Sequence, residues 1–200
     1  LGRVNTTITP SALVNESSAT EVLSFSYGKP ITKSRLVPLA NPDIVVVHEV
    51  DSDLEDEVKR IHPNVQWHSY AALLLNAVQR RHHSNSGCIL YLEVFRSHVV
   101  ILAWKDTMME LYNWFSISNE NDVLYYCMNV CQQLRIELPS CKVYVSGEVE
   151  KGGPTFNLLQ KYIPDLAINY GLDHVKLAAG LMLENKQEMS PAFNQFACVS

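Results

Sequence analysis

The 200-residue chain is notable first for what it lacks. No apolar run approaches the roughly 20 residues that a helical membrane span needs. No basic-then-apolar segment stands at its start, which is Leu1 and not a methionine, so an upstream segment is expected to be missing. Clustered basic charge is scarce: 16 Lys and Arg stand against 21 Asp and Glu, a formal charge of −5. Phosphate affinity comes largely from clustered Lys and Arg, so no nucleic-acid partner is expected. The densest basic run, Arg80-Arg81-His82-His83, falls at the end of an expected helix, where cations offset the helix dipole. There is no CxxC pair among Cys88, Cys127, Cys131, Cys141 and Cys198, and 5 is an odd number. That fits reduced thiols in a cytoplasmic protein better than a disulfide framework. Asn5-Thr6-Thr7 and Asn15-Glu16-Ser17 match the glycosylation pattern, but such short matches are common by chance.

What is present is a folded chain. Apolar residues at 47% and charged residues at 18% exclude a disordered one, and the length suits one domain or two small lobes. The first 43 residues are rich in Ser, Thr, Pro and Asn and contain two β-like runs. In "EVLSFSYG" Leu23, Phe25 and Tyr27 alternate on one face, and Gly28-Lys29-Pro30 turns the chain into "ITKSRLV". "DIVVVHEV" (43–50) is almost continuously apolar, as for a strand covered on both sides. Ser52 and Glu55 form a capping box, with Leu54, Val58 and Ile61 as one helical stripe that His62-Pro63 ends. Tyr70, Leu73, Leu74, Ala77 and Val78 predict a second amphipathic helix, and "SNSG" (84–87) a linker.

Beyond the linker, "CILYLEVF" (88–95), "HVVILAW" (98–104) and "MMELYNWF" (108–115) read as an antiparallel meander. Asn119 caps a helix with Val123, Tyr126, Cys127, Val130 and Leu134 on one face. "CKVYVS" is a fourth strand, Gly153-Pro154 opens a helix through Tyr162, and "LAINY" (166–170) is a fifth strand. Three meandering strands, helix, strand, helix, strand is the ribonuclease H-like plan, which occurs duplicated in actin-like ATPases. The expected fold class is therefore α/β, a mixed sheet with flanking helices. The expected domains are a partial first lobe over 1–83 and a ribonuclease H-like second lobe over 87–200, the strand at 141–146 lying parallel to 88–95.

Four stretches carry a resemblance: "ITPSALV" (8–14), "IHPNVQWHSYAALLLNAV" (61–78), "NDVLYYCMNVCQQLRI" (121–136), and "VYVSGEV" followed by "LLQKYI" (158–163). Through them the chain resembles a Bacteroidetes family of unknown function, domain-of-unknown-function family 3822, distantly similar to actin-like ATPases. In that superfamily the chain is similar to the type IV pilus assembly M protein and the cytoplasmic domain of the type II secretion L protein. The resemblance implies more chain upstream and hence an incomplete first lobe here.

In an ATP-using actin relative, the first turn of each lobe brings backbone N–H groups to the phosphates and a carboxylate to water-bound Mg²⁺. The resemblance places that turn at Glu93-Val94-Phe95-Arg96-Ser97-His98, which has a carboxylate but no glycine. The adenosine-side Gly-Gly of the superfamily is half present, as Ser146-Gly147. If the chain binds ATP and Mg²⁺, the binding residues are Glu93, Ser146, Gly147, Gly152 and Gly153. A Walker loop is excluded, because Gly153-Pro154 stands where Lys-Ser/Thr is needed and Glu148 and Glu150 repel phosphate. Gly153 and Pro154 read as helix cap and first helical residue. Cys127 and Cys131 belong to an apolar stripe, and their expected role is packing and not metal binding. Cys141 has no evident base to make it a nucleophile. A nuclease needs several clustered carboxylates, and only Glu93 lies on the central strands. The expected function is a non-catalytic interaction or scaffold protein, without cofactor, acting on a protein partner or as a homodimer. The rival is a divergent ATP-binding protein whose first phosphate turn lies upstream.

Overall fold

The structure, a computed structural model, describes residues 5–82, 87–106, 108–170 and 186–189. The chain divides into two units, Leu1–Arg80 and Arg81–Ser200. Cys198, His83 and most of the expected linker, residues 84–86, lie outside the described residues.

The first unit holds β1 (Thr6–Pro10), α1 (Ala19–Tyr27), β2 (Ser34–Pro38), β3 (Ile44–Glu49), α2 (Ser52–Ile61) and all but the last two residues of α3 (Tyr70–His82). Its sheet has the order β1-β3-β2, with both neighbours antiparallel to β3. The most apolar strand takes the centre: Val45 and Val47 pack with Leu23, Ala19 and Ile31, and Val46 on the other face is also fully buried. Cover on both faces is what the continuous apolar run implied.

Three expectations for this unit are corrected. Residues 21–28 are not a strand; they lie in α1 and its cap. Leu23, Phe25 and Tyr27 alternate, but Ala19, Leu23 and Tyr27 also recur every four residues, and that period wins. Ala19 and Leu23 are buried while Phe25 is 91% exposed. Gly28, at φ +61, ends the helix in the left-handed conformation that glycine adopts most readily. Second, the cap of α2 is Asp51 and not Ser52; Asp51 Oδ1 accepts from the Leu54 N–H at 3.0 Å. Third, the buried member of α2 is Glu55, whereas Leu54 and Ile61 of the expected apolar stripe are 48% and 64% exposed. Strand β1 had not been expected at all, although Thr6-Thr7-Ile8-Thr9 is β-branched throughout.

Glu55 is buried because cations surround it. Arg35 donates to it at 2.7 Å, Lys59 approaches at 3.2 Å and Lys33 at 3.3 Å. The Arg35 hydrogen bond is the main cause that holds its carboxyl down at about 2, outweighing a smaller upward push from burial. Since the three cations are themselves 38–50% exposed, solvent screens the cluster and its worth is well below the full shift.

The second unit holds β4 (Cys88–Val94), β5 (His98–Lys105), β6 (Met108–Ser116), α4 (Glu120–Leu134), β7 (Cys141–Gly147), α5 (Pro154–Gln160) and β8 (Leu166–Ile168). Its five-stranded sheet has the order β6-β5-β4-β7-β8. β4, β5 and β6 form the antiparallel meander, and β7 runs parallel to both β4 and β8, as the plan requires. Two-residue hairpins suffice for antiparallel neighbours, but a parallel one needs a long crossover, here supplied by α4. Asn119 and Asp122 form a capping box that fixes where α4 starts. Val123, Cys127, Val130 and Cys131 of α4 and Phe156 and Leu159 of α5 cover one sheet face, meeting Leu90, Leu92, Val143 and Val145. α5 starts on the expected Gly153 cap and Pro154, and ends two residues before Tyr162. β8 covers the first three residues of the expected 166–170 strand and stops before Asn169.

Two predictions follow from these cores. Glu55→Gln should cost about 1–2 kcal/mol at neutral pH in urea unfolding, once solvent screening is discounted. Because the carboxyl of the folded state is depressed, that contribution is present above the unfolded value near 4.5 and fades as pH falls toward about 2. The gap between wild type and variant should close over that window; a gap independent of pH would contradict the ion cluster. Cys127→Ala, at a fully buried position, should cost about 1–2 kcal/mol through lost packing, and an unchanged unfolding midpoint would refute it.

Candidate functional site

At the C-terminal ends of β4 and β7 three of the five candidate residues come together. The parallel register sets Glu93 opposite Ser146 and Val94 opposite Gly147. Glu93 is 1% exposed, and the Ser146 hydroxyl donates to its Oε2 at 2.7 Å. A strand carboxylate paired to a neighbouring strand explains how Glu93 is tolerated in the sheet interior.

Gly147 has a packing reason to be glycine. Its φ is +83, and an added Cβ would collide with the carbonyl oxygen of Val94. The chain then turns, with the Glu148 N–H donating to that same Val94 oxygen at 2.8 Å. Only glycine lets the two backbones approach so closely here.

The hairpin turn between β4 and β5 is bound by protein groups. The Arg96 N–H donates to Glu148 Oε1 at 3.1 Å. The Phe95 N–H donates to the His98 carbonyl at 2.8 Å, and the two rings stack with centroids 4.5 Å apart. A carboxylate thus sits on a turn N–H of the kind that a phosphate needs. Sequence reasoning flagged Glu148 only as repulsive; its grip on Arg96 was not legible, because a backbone N–H has no side-chain signature.

Gly152 and Gly153 lie apart from this group, at the start of α5. The Gly153 N–H donates to the Glu150 carbonyl at 2.9 Å, and Asn157 Nδ2 donates to the Gly152 carbonyl at 2.6 Å. Gly152 also has a positive φ, +83, but an added Cβ would meet open space. Among the described residues no cluster of three or more His, Cys, Asp or Glu is arranged to hold a metal ion.

A meander, crossover helix and parallel strands make the second unit's sheet ribonuclease H-like, and solved structures with an actin-like ATPase fold are similar to the chain. A Bacteroides thetaiotaomicron protein with actin-like ATPase fold and unknown function is similar at 18% identity and a TM-score of 0.73, over 82% of this chain and 65% of that one. The PilM–PilN type IV pilus biogenesis complex is similar at 12% identity and a TM-score of 0.52, over 96% of this chain and 73% of that one. The chain spans a little under two thirds, 65%, of the first of these. No curated protein matches it. Residues 2–166 match the family described as Protein of unknown function (DUF3822), and the chain belongs to that family.

The two positive-φ glycines make a controlled comparison. Gly147→Ala should destabilise the second unit by about 2–4 kcal/mol, because backbone strain and a backbone collision combine. Gly152→Ala should cost only about 1 kcal/mol, from the strained φ alone. Equal losses in thermal or urea unfolding would show that the approach to Val94 does not constrain Gly147.

Proposed function

We propose that this protein is a non-catalytic interaction or scaffold module of the cytoplasm, on an actin-like ATPase fold that no longer uses nucleotide. The observation that carries this is the hydrogen bond from the Arg96 N–H to the Glu148 carboxylate, at the turn where an ATP-using relative exposes its N–H groups. The bulky Phe95–His98 stack on the same turn, without glycine, adds to it. The partner is a protein or a second copy of the chain; the formal charge of −5 disfavours nucleic acid. A role in assembly is supported at fold level by the similarity to a pilus biogenesis complex. No helix among the described residues is long and apolar enough to cross a membrane.

One observation favours the rival, an ATP- and Mg²⁺-binding protein. Glu93 is a buried carboxylate at the end of the first strand of this sheet, beside the hydroxyl of Ser146, and Gly147 follows. In that reading Glu93 would hold water-bound Mg²⁺, Ser146 and Gly147 would face the nucleotide, and Gly152 and Gly153 would line the next loop.

Calorimetry with Mg-ATP, beside inorganic phosphate at equal ionic strength, separates the two. The proposal predicts no dissociation constant tighter than about a millimolar, roughly −4 kcal/mol. Saturable micromolar binding that Glu93→Gln abolishes would install the rival. Cross-linking in the cytoplasm should return a stoichiometric protein partner or a homodimer, and a monomer that turns over ATP would overturn the scaffold reading.

A further inference from the structure

At the opposite ends of the same two strands, two cysteines that the candidate site does not use meet each other. Cys88 and Cys141 are facing partners in the parallel register, and their Sγ atoms are 2.6 Å apart. Both are free thiols. Neighbouring strands lie about 4.8 Å apart, inside the roughly 4.4–6.8 Å between Cα atoms that a disulfide spans. The sulfurs need to close by only about half an ångström to reach the S–S bond length of about 2.05 Å. Access is one-sided: Cys141 is 1% exposed, whereas Cys88 is partly exposed and follows the exposed Gly87.

Two further thiols, Cys127 and Cys131 on α4, are buried in the same core, and both are near enough to act electrostatically on Cys141. Both are buried, at 0% and 4% exposure, which leaves the partly exposed Cys88 the best placed of the four described thiols to start an exchange with a dissolved oxidant.

We propose that Cys88 and Cys141 are a modification site, forming an intramolecular disulfide on contact with a low-molecular-weight disulfide oxidant. The Cys88 thiolate attacks one sulfur of the oxidant, forming a mixed disulfide and expelling one small thiolate. Cys141 then attacks Cys88 Sγ, its proton passing to the departing second small thiolate, which leaves as a thiol. Two protein thiols are oxidised, one small disulfide is reduced to two thiols, and no other reactant is needed. The order of attack has electrostatic support as well. A hydrogen bond with Cys141 is the largest cause lowering the Cys88 thiol, with Lys105 a smaller one, against upward pushes from burial and from Asp106, while the same contact and burial push Cys141 up. The bond would staple the starts of β4 and β7, joining residues 53 apart in sequence.

The test uses the full chain with Cys198→Ser, exposed to glutathione disulfide at neutral pH under native conditions. Two of the four remaining thiols should disappear, and non-reducing peptide mapping should link Cys88 to Cys141. The melting temperature should rise by roughly 5–10 °C and return with dithiothreitol. Cys127→Ser and Cys131→Ser should leave the link intact. Cys88→Ser should keep all its thiols, and because Cys88 is partly exposed this control does not depend on the buried Cys141→Ser variant folding. A glutathione adduct on Cys88 with Cys141 still free, a Cys127–Cys131 link, or stoichiometric zinc shielding the thiols would each overturn the proposal.

Discussion

The parallel pairing of β4 with β7 is the constraint on which the second unit depends. One register runs from Cys88 opposite Cys141 to Val94 opposite Gly147, and nearly every feature of interest is a consequence of it. A parallel pair cannot be closed by a hairpin, so the chain must leave the meander, cross over through α4 and return. The crossover lays Cys127 and Cys131 on the sheet and completes the apolar core. At one end the register sets Glu93 beside Ser146 and forces the position after Ser146 to be glycine. At the other it brings two sulfurs within 2.6 Å.

The same pairing decides the chemistry of the strand ends. As β7 passes Val94 it turns sharply, held by the Glu148 N–H on the Val94 carbonyl, and the Glu148 side chain reaches the Arg96 N–H across the turn. A backbone geometry able to present N–H groups to a phosphate is thereby satisfied internally by a carboxylate. On the proposed reading, fold and nucleotide chemistry separate at this point: the sheet order and crossover are those of the fold, while one N–H of the turn is engaged by the chain's own Glu148. Gly147 has a packing explanation of its own, the close approach to the Val94 carbonyl.

How much of this the sequence disclosed varied with the competition between periods. The second unit was legible because its strands are long, apolar and separated by clear turns, and because Asn119 and Gly153-Pro154 mark helix starts without ambiguity. The first unit was harder. Residues 19–27 satisfy both a two-residue and a four-residue period, and only burial of Ala19 and Leu23 decides for the helix. Glu55 inverted the expected face of α2, because Arg35 of β2 and Lys33 just before that strand lie about 20 residues away in sequence. Of the candidate site, Glu93, Ser146 and Gly147 could be placed together from the fold plan. The Arg96–Glu148 bond could not, and neither could the Cys88–Cys141 contact, since each cysteine was weighed singly although both open strands expected to be parallel neighbours.

The central claim is that the turn at 94–98 is closed by Glu148. The measurement that meets it most directly is the amide resonance of Arg96, followed by NMR in the wild type and in Glu148→Gln, with and without Mg-ATP. The account predicts that the Arg96 amide proton moves upfield when the carboxylate becomes an amide, because a charge-assisted hydrogen bond is exchanged for a weaker one. It also predicts that the wild-type resonance stays in place at micromolar Mg-ATP. An Arg96 amide indifferent to the Glu148 substitution, and shifting saturably at micromolar Mg-ATP together with its neighbours in the turn, would contradict it.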